Sequence, residues 1–298
     1  MEIIKGDNFK LDKSAVCLGK FDGVHKGHRM LIDYVSNIEG LPGVMFTFDM
    51  NPRTLFDADF KTIYSVEEKI SLLKSTGLST LIEYPFTKET AALSAEDFVK
   101  DILVGKLSAK VICIGKDFRF GHNRQGDLDL LISLSGKYGF EVKAFDKASY
   151  EGSDISSTRI RNLIKEGNVK LAGELLGAPY FIEGPVVHGH ALGRTVGMPT
   201  ANIVPDESKI LPKFGVYAAD IYIDDRKFRG ITNIGVKPSV GDKELPGAET
   251  LIFDFNEDIY DKTIKVELLD FIREERKMGS LKEVRKQVEI DSERARCL

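Results

Sequence analysis

The residues best suited to chemistry stand in one ten-residue string, Gly19-Lys20-Phe21-Asp22-Gly23-Val24-His25-Lys26-Gly27-His28. It follows the apolar run Ala15-Val16-Cys17-Leu18 and precedes Arg29 to Ile38, where Leu31, Tyr34, Val35 and Ile38 fall on one helical face. An apolar run closed by glycine reads as a buried strand reaching a tight turn. His25 and His28 therefore lie where a strand gives way to a helix, spaced to share one face. A helix N-terminus presents unpaired N–H groups and partial positive charge, which suit phosphate. Gly19, Gly23 and Gly27 let the backbone come close to a ligand. The chemistry implied is stabilisation of charge on a nucleoside triphosphate during transfer. The competing reading of H-x-x-H is a metal pair or two incidental surface histidines. A metal needs further Cys, His or carboxylate ligands. The chain has no C-x-x-C, and neither Cys17 nor Cys113 has a histidine at ligand spacing.

Two further strings stand in the same half. Ile155-Ser156-Ser157-Thr158-Arg159-Ile160-Arg161 opens a helix whose apolar residues are Ile160, Leu163 and Ile164 and which Gly167 closes. By itself it is an ordinary Ser/Thr cap. Hydroxyls and guanidinium forks at a helix start also fit a phosphate clamp. Ile114-Gly115-Lys116-Asp117-Phe118-Arg119-Phe120-Gly121, with Asn123, Arg124 and Gly126 after it, reads as a loop whose phenylalanines fill the core. The later half carries Gly193-Arg194-Thr195-Val196-Gly197-Met198-Pro199-Thr200-Ala201-Asn202. No G-x-x-x-x-G-K-[ST] occurs, so this glycine-rich stretch is not a P-loop. His188 and His190, flanked by glycines, fit either phosphate contact or strand capping.

These strings need scaffolds. The first half alternates strand-like and helix-like segments: strands at 44–48, 81–84, 111–114 and 141–145, helices at 65–75, 94–104 and 128–138. Ser65 and Glu68 form a capping box. Such alternation predicts a parallel α/β sheet with helices on both faces, which binds ligands at the carboxyl ends of its strands. A short helix over 168–176 stops at Gly177 and Pro179. Strand-like runs then follow at 180–187, 215–223, 227–234, 249–255 and 263–271, with a last helix from Ser280. Strands without helices predict an antiparallel β-barrel. The expected domains are 1–177 and 178–298.

Composition agrees with two soluble domains. The chain has 298 residues, 42% hydrophobic and 30% charged, with a formal net charge of -4. The weak, mixed charge argues against non-specific binding to nucleic acid or an acidic membrane. Met1 to Lys13 has no apolar signal core, and no stretch approaches a membrane span. Three widely spaced cysteines make no disulfide framework, so the cytosol is the expected compartment. Oligomeric state is not written in the sequence.

The histidine string resembles the G-x-F-D-x-x-H-x-G-H signature of the nucleotidyltransferase superfamily. Ile-Ser-Ser-Thr-Arg-Ile-Arg resembles the second signature of bacterial FAD synthetases, and G-R-x-x-G-x-P-T-A-N is similar to the riboflavin kinase signature. Gly215-Val216-Tyr217-Ala218, Asn233 to Pro238, Glu249-Thr250, Asp258-Ile259-Tyr260 and Ile272-Arg273 follow in the family's order. The resemblance covers nearly the whole chain. It implies a Rossmann-like nucleotidyltransferase domain that adenylylates FMN to FAD, followed by a riboflavin kinase barrel that phosphorylates riboflavin to FMN, with ATP and Mg²⁺. It implies His25, His28, Ser157 and Arg159 as stabilisers of the phosphate charge. Gly19, Lys20, Phe21, Asp22, Gly23, Ser156, Thr158, Arg161, Gly193, Arg194 and Gly197 are implied at the nucleotide. Asp117, Phe118, Asn123 and Arg124 are implied at the flavin, Thr200 and Asn202 at the metal, and Glu249 as the base for the ribityl 5′-hydroxyl. Taken alone, Glu249 reads as a strand-edge surface carboxylate, and Glu267 is the alternative proton acceptor. Two departures stand out: the family usually has Asn at Lys20, and Pro-His-Pro where this chain has Met50-Asn51-Pro52. Adenylylation of another phosphate, or a flavin-binding regulator without catalysis, are the rival readings.

Overall fold

The computed structural model describes residues 1–55, 57, 59–188, 198–238 and 244–298. The chain divides into two compact units, Met1–Ser156 and Ser157–Leu298.

The first unit is built on a six-stranded sheet of β1 (Glu2–Lys5), β2 (Ser14–Leu18), β3 (Gly43–Phe48), β4 (Thr80–Tyr84), β5 (Ala109–Gly115) and β6 (Glu141–Phe145). Every neighbouring pair runs parallel, in the order β1-β4-β3-β2-β5-β6. A parallel sheet buried on both faces needs continuous apolar strands, and β2 and β4 are buried at every position. Alternate side chains serve opposite faces. Val16, Leu18, Phe46 and Ile112 join one core with Phe98, Ile102 and Leu131. Ala15, Cys17, Met45 and Cys113 join the other with Leu31, Ile32 and Val35 of helix α1 (Lys26–Ser36). The order of strands reverses at β2, with β3 on one side and β5 on the other. Ligands of open α/β sheets bind at that switch point, beyond the carboxyl ends. The histidine string follows β2 and the Gly115–Gly121 loop follows β5, so both leave the sheet there.

Helix α2 (Val66–Leu73) starts on the expected Ser65/Glu68 capping box. Short α3 (Lys88–Ala92) and α4 (Ala95–Asp97) lead into a π-helical run, Phe98–Lys106. Helix α5 (Leu128–Tyr138) is capped by Asp127 and ended by left-handed Gly139. A tight hairpin of β7 (Ser149–Tyr150) and β8 (Ser153–Asp154) turns through Glu151 and Gly152, both at positive φ.

The second unit opens with α6 (Ser157–Lys165) and α7 (Val169–Leu176). It continues with β9 (Tyr180–Pro185), β10 (Thr200–Ile203), β11 (Gly215–Ile223), β12 (Arg226–Pro238), β13 (Glu244–Ile252) and β14 (Thr263–Arg273). These form an antiparallel sheet in the order β10-β13-β12-β11-β14-β9. Among the described residues, Val187 just beyond β9 bridges to Asn202 of β10, so the sheet curls round on itself as a half-barrel. Helix α7 lies against β9 and β14 with Val169, Ala172, Leu175 and Leu176 buried. The C-terminal helix α8 (Leu281–Arg296) covers Val216, Ala218, Ile231 and Ile272 with Val288 and Ala295. The buried Asp291 of α8 pairs with Arg273 at 2.8 Å and fixes the helix to β14. The expected boundary at 177/178 and the division of packing at 156/157 thus differ by the α6–α7 pair.

Candidate active sites

The turn from β2 to α1 is tightly built. Phe21 and Val24 both adopt left-handed backbone, at φ 46° and 44°, which costs energy for any residue with a side chain. Their fully buried side chains hold them there. The Asp22 carboxylate accepts the backbone N–H of Ile63 at 2.8 Å, tying the turn to the segment before α2. The Thr47 hydroxyl at the end of β3 donates to the Lys20 carbonyl at 3.3 Å. The side chains of Phe21 and Asp22 thus help to build the turn, and Lys20 is exposed on it.

His25 is the N-cap of α1: its Nδ1 accepts the backbone N–H of His28. That leaves the neutral ring's proton on Nε2. The two imidazoles stack, centroids 3.6 Å apart and 16° from parallel. Phe21 meets His28 edge-on at 5.2 Å. Burial pushes the His25 imidazole down to about 4, against the opposing pull of Asp22. It pushes His28 well below the usual imidazole range, with His25 adding to the effect. Both rings are neutral near pH 7, and His28 Nδ1 is buried with no hydrogen-bond partner among the described residues. The structure therefore brings His25 and His28 together as uncharged ring groups at the positive end of a helix. No group of three metal-ligating side chains occurs among the described residues.

The other strings of the first unit converge on the same end of the sheet. Asp117 pairs with Lys147 at 3.2 Å, and Lys147 also reaches Asp154 at 3.6 Å. The loop after β5 is thereby linked to the hairpin that leads into Ser156. Ala148 of that hairpin lies against Gly27, and Lys26 sits over the Tyr150 ring. Half-buried Phe118 stacks on Phe120 with centroids 5.9 Å apart. Asn123 and Arg124 are exposed, on consecutive left-handed residues at φ 51° and 59°. Asn51 uses its side-chain oxygen to accept the N–H of Arg53, capping a turn. Ser157, Thr158, Arg159 and Arg161 lie in the first turns of α6, in the second unit.

In the second unit the Thr200 hydroxyl donates to Glu249 Oε1 at 2.8 Å, joining motifs 49 residues apart. Glu249 is half-buried on β13, between β10 and β12, and so is not on a strand edge. It stands directly across from Asn202. Thr200 also lines a cleft of about 280 Å³ with Pro199, Ile252, Phe255, Asp258 and Tyr260. His188 stacks on Tyr260 with ring centroids 3.8 Å apart. The Asp258-Ile259-Tyr260 motif was the sequence signal for this cleft; Phe255 carried none. Glu267 lies on β14, away from β10 and β13 in the sheet order, and is paired with Lys265 at 2.6 Å. Gly193, Arg194, Gly197 and His190 lie outside the described residues.

Known proteins agree with both units. A family model described as FAD synthetase matches residues 8–159, and one described as riboflavin kinase matches residues 176–298. The bifunctional riboflavin kinase/FMN adenylyltransferase of Bacillus subtilis (strain 168) is 36% identical over 292 residues, 95% of this chain and 92% of that one. Its counterpart in Escherichia coli (strain K12) is 37% identical over 286 residues, 94% of this chain and 90% of that one. A crystal structure named as a macrolide-efflux protein from Streptococcus pneumoniae aligns with a TM-score of 0.88 at 35% identity, over 99% of each chain. That name describes the other protein; among the described residues here, no helix is long and apolar enough to cross a membrane. With its parallel sheet matching one model and its antiparallel sheet the other, the chain belongs to the family of bifunctional riboflavin kinase/FMN adenylyltransferases.

Proposed function

We propose that this chain divides the family's two reactions between two separate sets of residues. It phosphorylates riboflavin to FMN with ATP, and it adenylylates FMN to FAD with release of pyrophosphate. In adenylylation the FMN phosphate oxygen attacks the α-phosphorus of ATP, and the bond to the bridging oxygen breaks. Negative charge grows on the phosphate oxygens as it does so. His25 and His28, neutral and buried at the start of α1, donate N–H bonds to that charge in a site of low dielectric. The α1 N–H groups and the backbone of Gly19, Lys20 and Gly23 line the phosphates. Ser157 and Arg159 are assigned to the same step, and Ser156, Thr158 and Arg161 to the nucleotide, on the strength of their sequence motif. Asp117, Phe118, Asn123 and Arg124 are assigned to the flavin.

In the kinase reaction the ribityl 5′-hydroxyl gives its proton to Glu249 as its oxygen attacks the γ-phosphorus. Thr200 holds the carboxylate in place. Thr200 and Asn202 would hold Mg²⁺ through side-chain oxygens, which suit a hard cation. Bound there, Mg²⁺ screens the phosphate charge. Gly193, Arg194 and Gly197 are assigned to the nucleotide. The cytosol, where thiols stay reduced, is the compartment assigned to these reactions.

The observation that carries the reading most directly is the buried His25–His28 stack with its unpartnered Nδ1, a polar site that the protein itself leaves unfilled. The test is incubation with riboflavin, ATP and Mg²⁺, and separately with FMN, followed by chromatography of the flavins. FMN and then FAD are expected from riboflavin, and FAD from FMN. Failure of either conversion by folded protein removes the corresponding reaction.

A further inference from the structure

A row of polar side chains crosses the barrel sheet. Asn202 on β10 stands across from Glu249 on β13, and Glu249 across from Asn233 on β12. Residues directly opposite share a face, with neighbouring strands about 4.8 Å apart. Thr200, two residues before Asn202, is on that face too and donates to Glu249. At the far end of the row, Asn233 Nδ2 donates to Glu275 Oε1 at 2.8 Å. Glu275 belongs to the exposed segment after β14, and its side chain lies so close over β12 that a Cβ on Gly235 would overlap its carboxylate. Glycine at 235 is what admits it. With Nδ2 engaged, the amide orientation of Asn233 is set, and its Oδ1 is buried with no hydrogen-bond partner among the described residues. An unpaired buried amide oxygen costs stability, and sites that bind polar ligands are where such a cost is retained.

The geometry points to Asn233 as a specificity-determining residue for the phosphoryl acceptor, held in register by Glu275. This rests on the reading of Glu249 as the group that meets the reacting hydroxyl. A molecule that presents one hydroxyl to Glu249 and extends along the row brings its next hydroxyls one strand over, at Asn233. The ligand chemistry that fits is a polyol chain: its O–H groups donate to Asn233 Oδ1, and the exposed Glu275 carboxylate accepts beside it. Glu275 acts through Asn233 and is a positioning residue.

The test compares riboflavin with lumiflavin, which has the same ring system and a methyl in place of the polyol chain. Only riboflavin phosphorylation is followed, so the assay reads the kinase site alone, with lumiflavin as a competitive inhibitor. Asn233→Ala and Glu275→Ala are expected to raise KM for riboflavin about three- to tenfold, the size of one lost hydrogen bond. The lumiflavin inhibition constant, KM for ATP and the rate of FAD formation from FMN stay as in the parent. If Asn233→Ala does not fold, the exposed Glu275→Ala decides. Equal weakening of riboflavin and lumiflavin, or unchanged KM for riboflavin, overturns the proposal. Failure of the Glu249 reading shows separately, as retained turnover in Glu249→Gln.

Discussion

Neutral histidines are the unusual choice at the residue scale. A charged imidazolium would attract phosphate more strongly, yet burial holds His25 at about 4 and His28 well below the usual range. The site thus keeps oriented N–H dipoles and avoids the cost of burying charge before substrate arrives. His28→Ala should lower FAD formation about a hundredfold, near 3 kcal/mol of transition-state stabilisation. FMN formation should be spared; an unchanged adenylylation rate in folded protein removes His28 from the mechanism. Glu249→Gln should lower riboflavin phosphorylation about a hundredfold or more and leave adenylylation intact. If Glu267→Gln alone loses kinase activity, the base is misassigned. Burial also gives a stability signature. The unfolded chain protonates these imidazoles near pH 6.5, whereas folded His25 does so only near 4. The contribution of His25 is therefore full above about pH 6.5 and is lost as the pH falls towards 4, by up to about 1.4 kcal/mol per unit, and His28 acts in the same direction. Thermal melts should show Tm falling from pH 7 to 5, with a shallower fall in His25→Gln; identical slopes would count against a buried neutral His25. The sequence showed the two histidines on a shared helical face. Their stacking is set by His25 capping α1 and by Phe21, which meets His28 edge-on, a contact that no local pattern marks.

At the scale of elements, what was legible followed from periodicity and caps. Continuous apolar runs marked β2, β3, β4 and β5, and the Ser65/Glu68 box marked the start of α2. Edge strands β1 and β10 are only four residues each, too short to declare themselves against their surroundings. Helix α1 begins three residues before Arg29, because His25 acts as its cap, a role sequence assigns more readily to Ser or Asp. The run Phe98–Lys106 reads as ordinary helix, since one added residue per turn leaves the apolar face continuous enough to mislead. The loop after β5 is held by Gly121, at φ 71°, where a Cβ would stand 2.6 Å from the Ala95 backbone. Gly121→Ala should destabilise the first unit by more than about 1 kcal/mol, the least that a left-handed side chain costs. It should also raise KM for FMN, because Asn123 and Arg124 ride on this loop. Melts and adenylylation kinetics check both effects, and parent values for the two would contradict this role for the loop.

The whole molecule poses the question of where one activity ends. The sequence motif ties Ser157 to Arg161 to adenylylation, while the packing of α7 on β9 and β14 ties the same helix pair to the barrel. Fragment 1–177 should form FAD from FMN and no FMN from riboflavin, and fragment 1–156 should lack adenylylation. Fragment 157–298 should phosphorylate riboflavin. Fragment 178–298 should melt lower or not fold, since it loses the cover of Leu175 and Leu176, each worth about 1.5–3 kcal/mol when buried. Equal melting of the two barrel fragments would show that α7 contributes nothing. The central claim is that two separate sets of residues perform the two reactions, and flavin chromatography of His28→Ala mixed with Glu249→Gln tests it most directly. Supplied with riboflavin, ATP and Mg²⁺, the first variant alone should stop at FMN and the second alone should leave riboflavin unchanged. The mixture should yield FAD, as FMN released by one chain is adenylylated by the other. A mixture that yields no FAD, although each folded variant retains its single activity, would contradict the account.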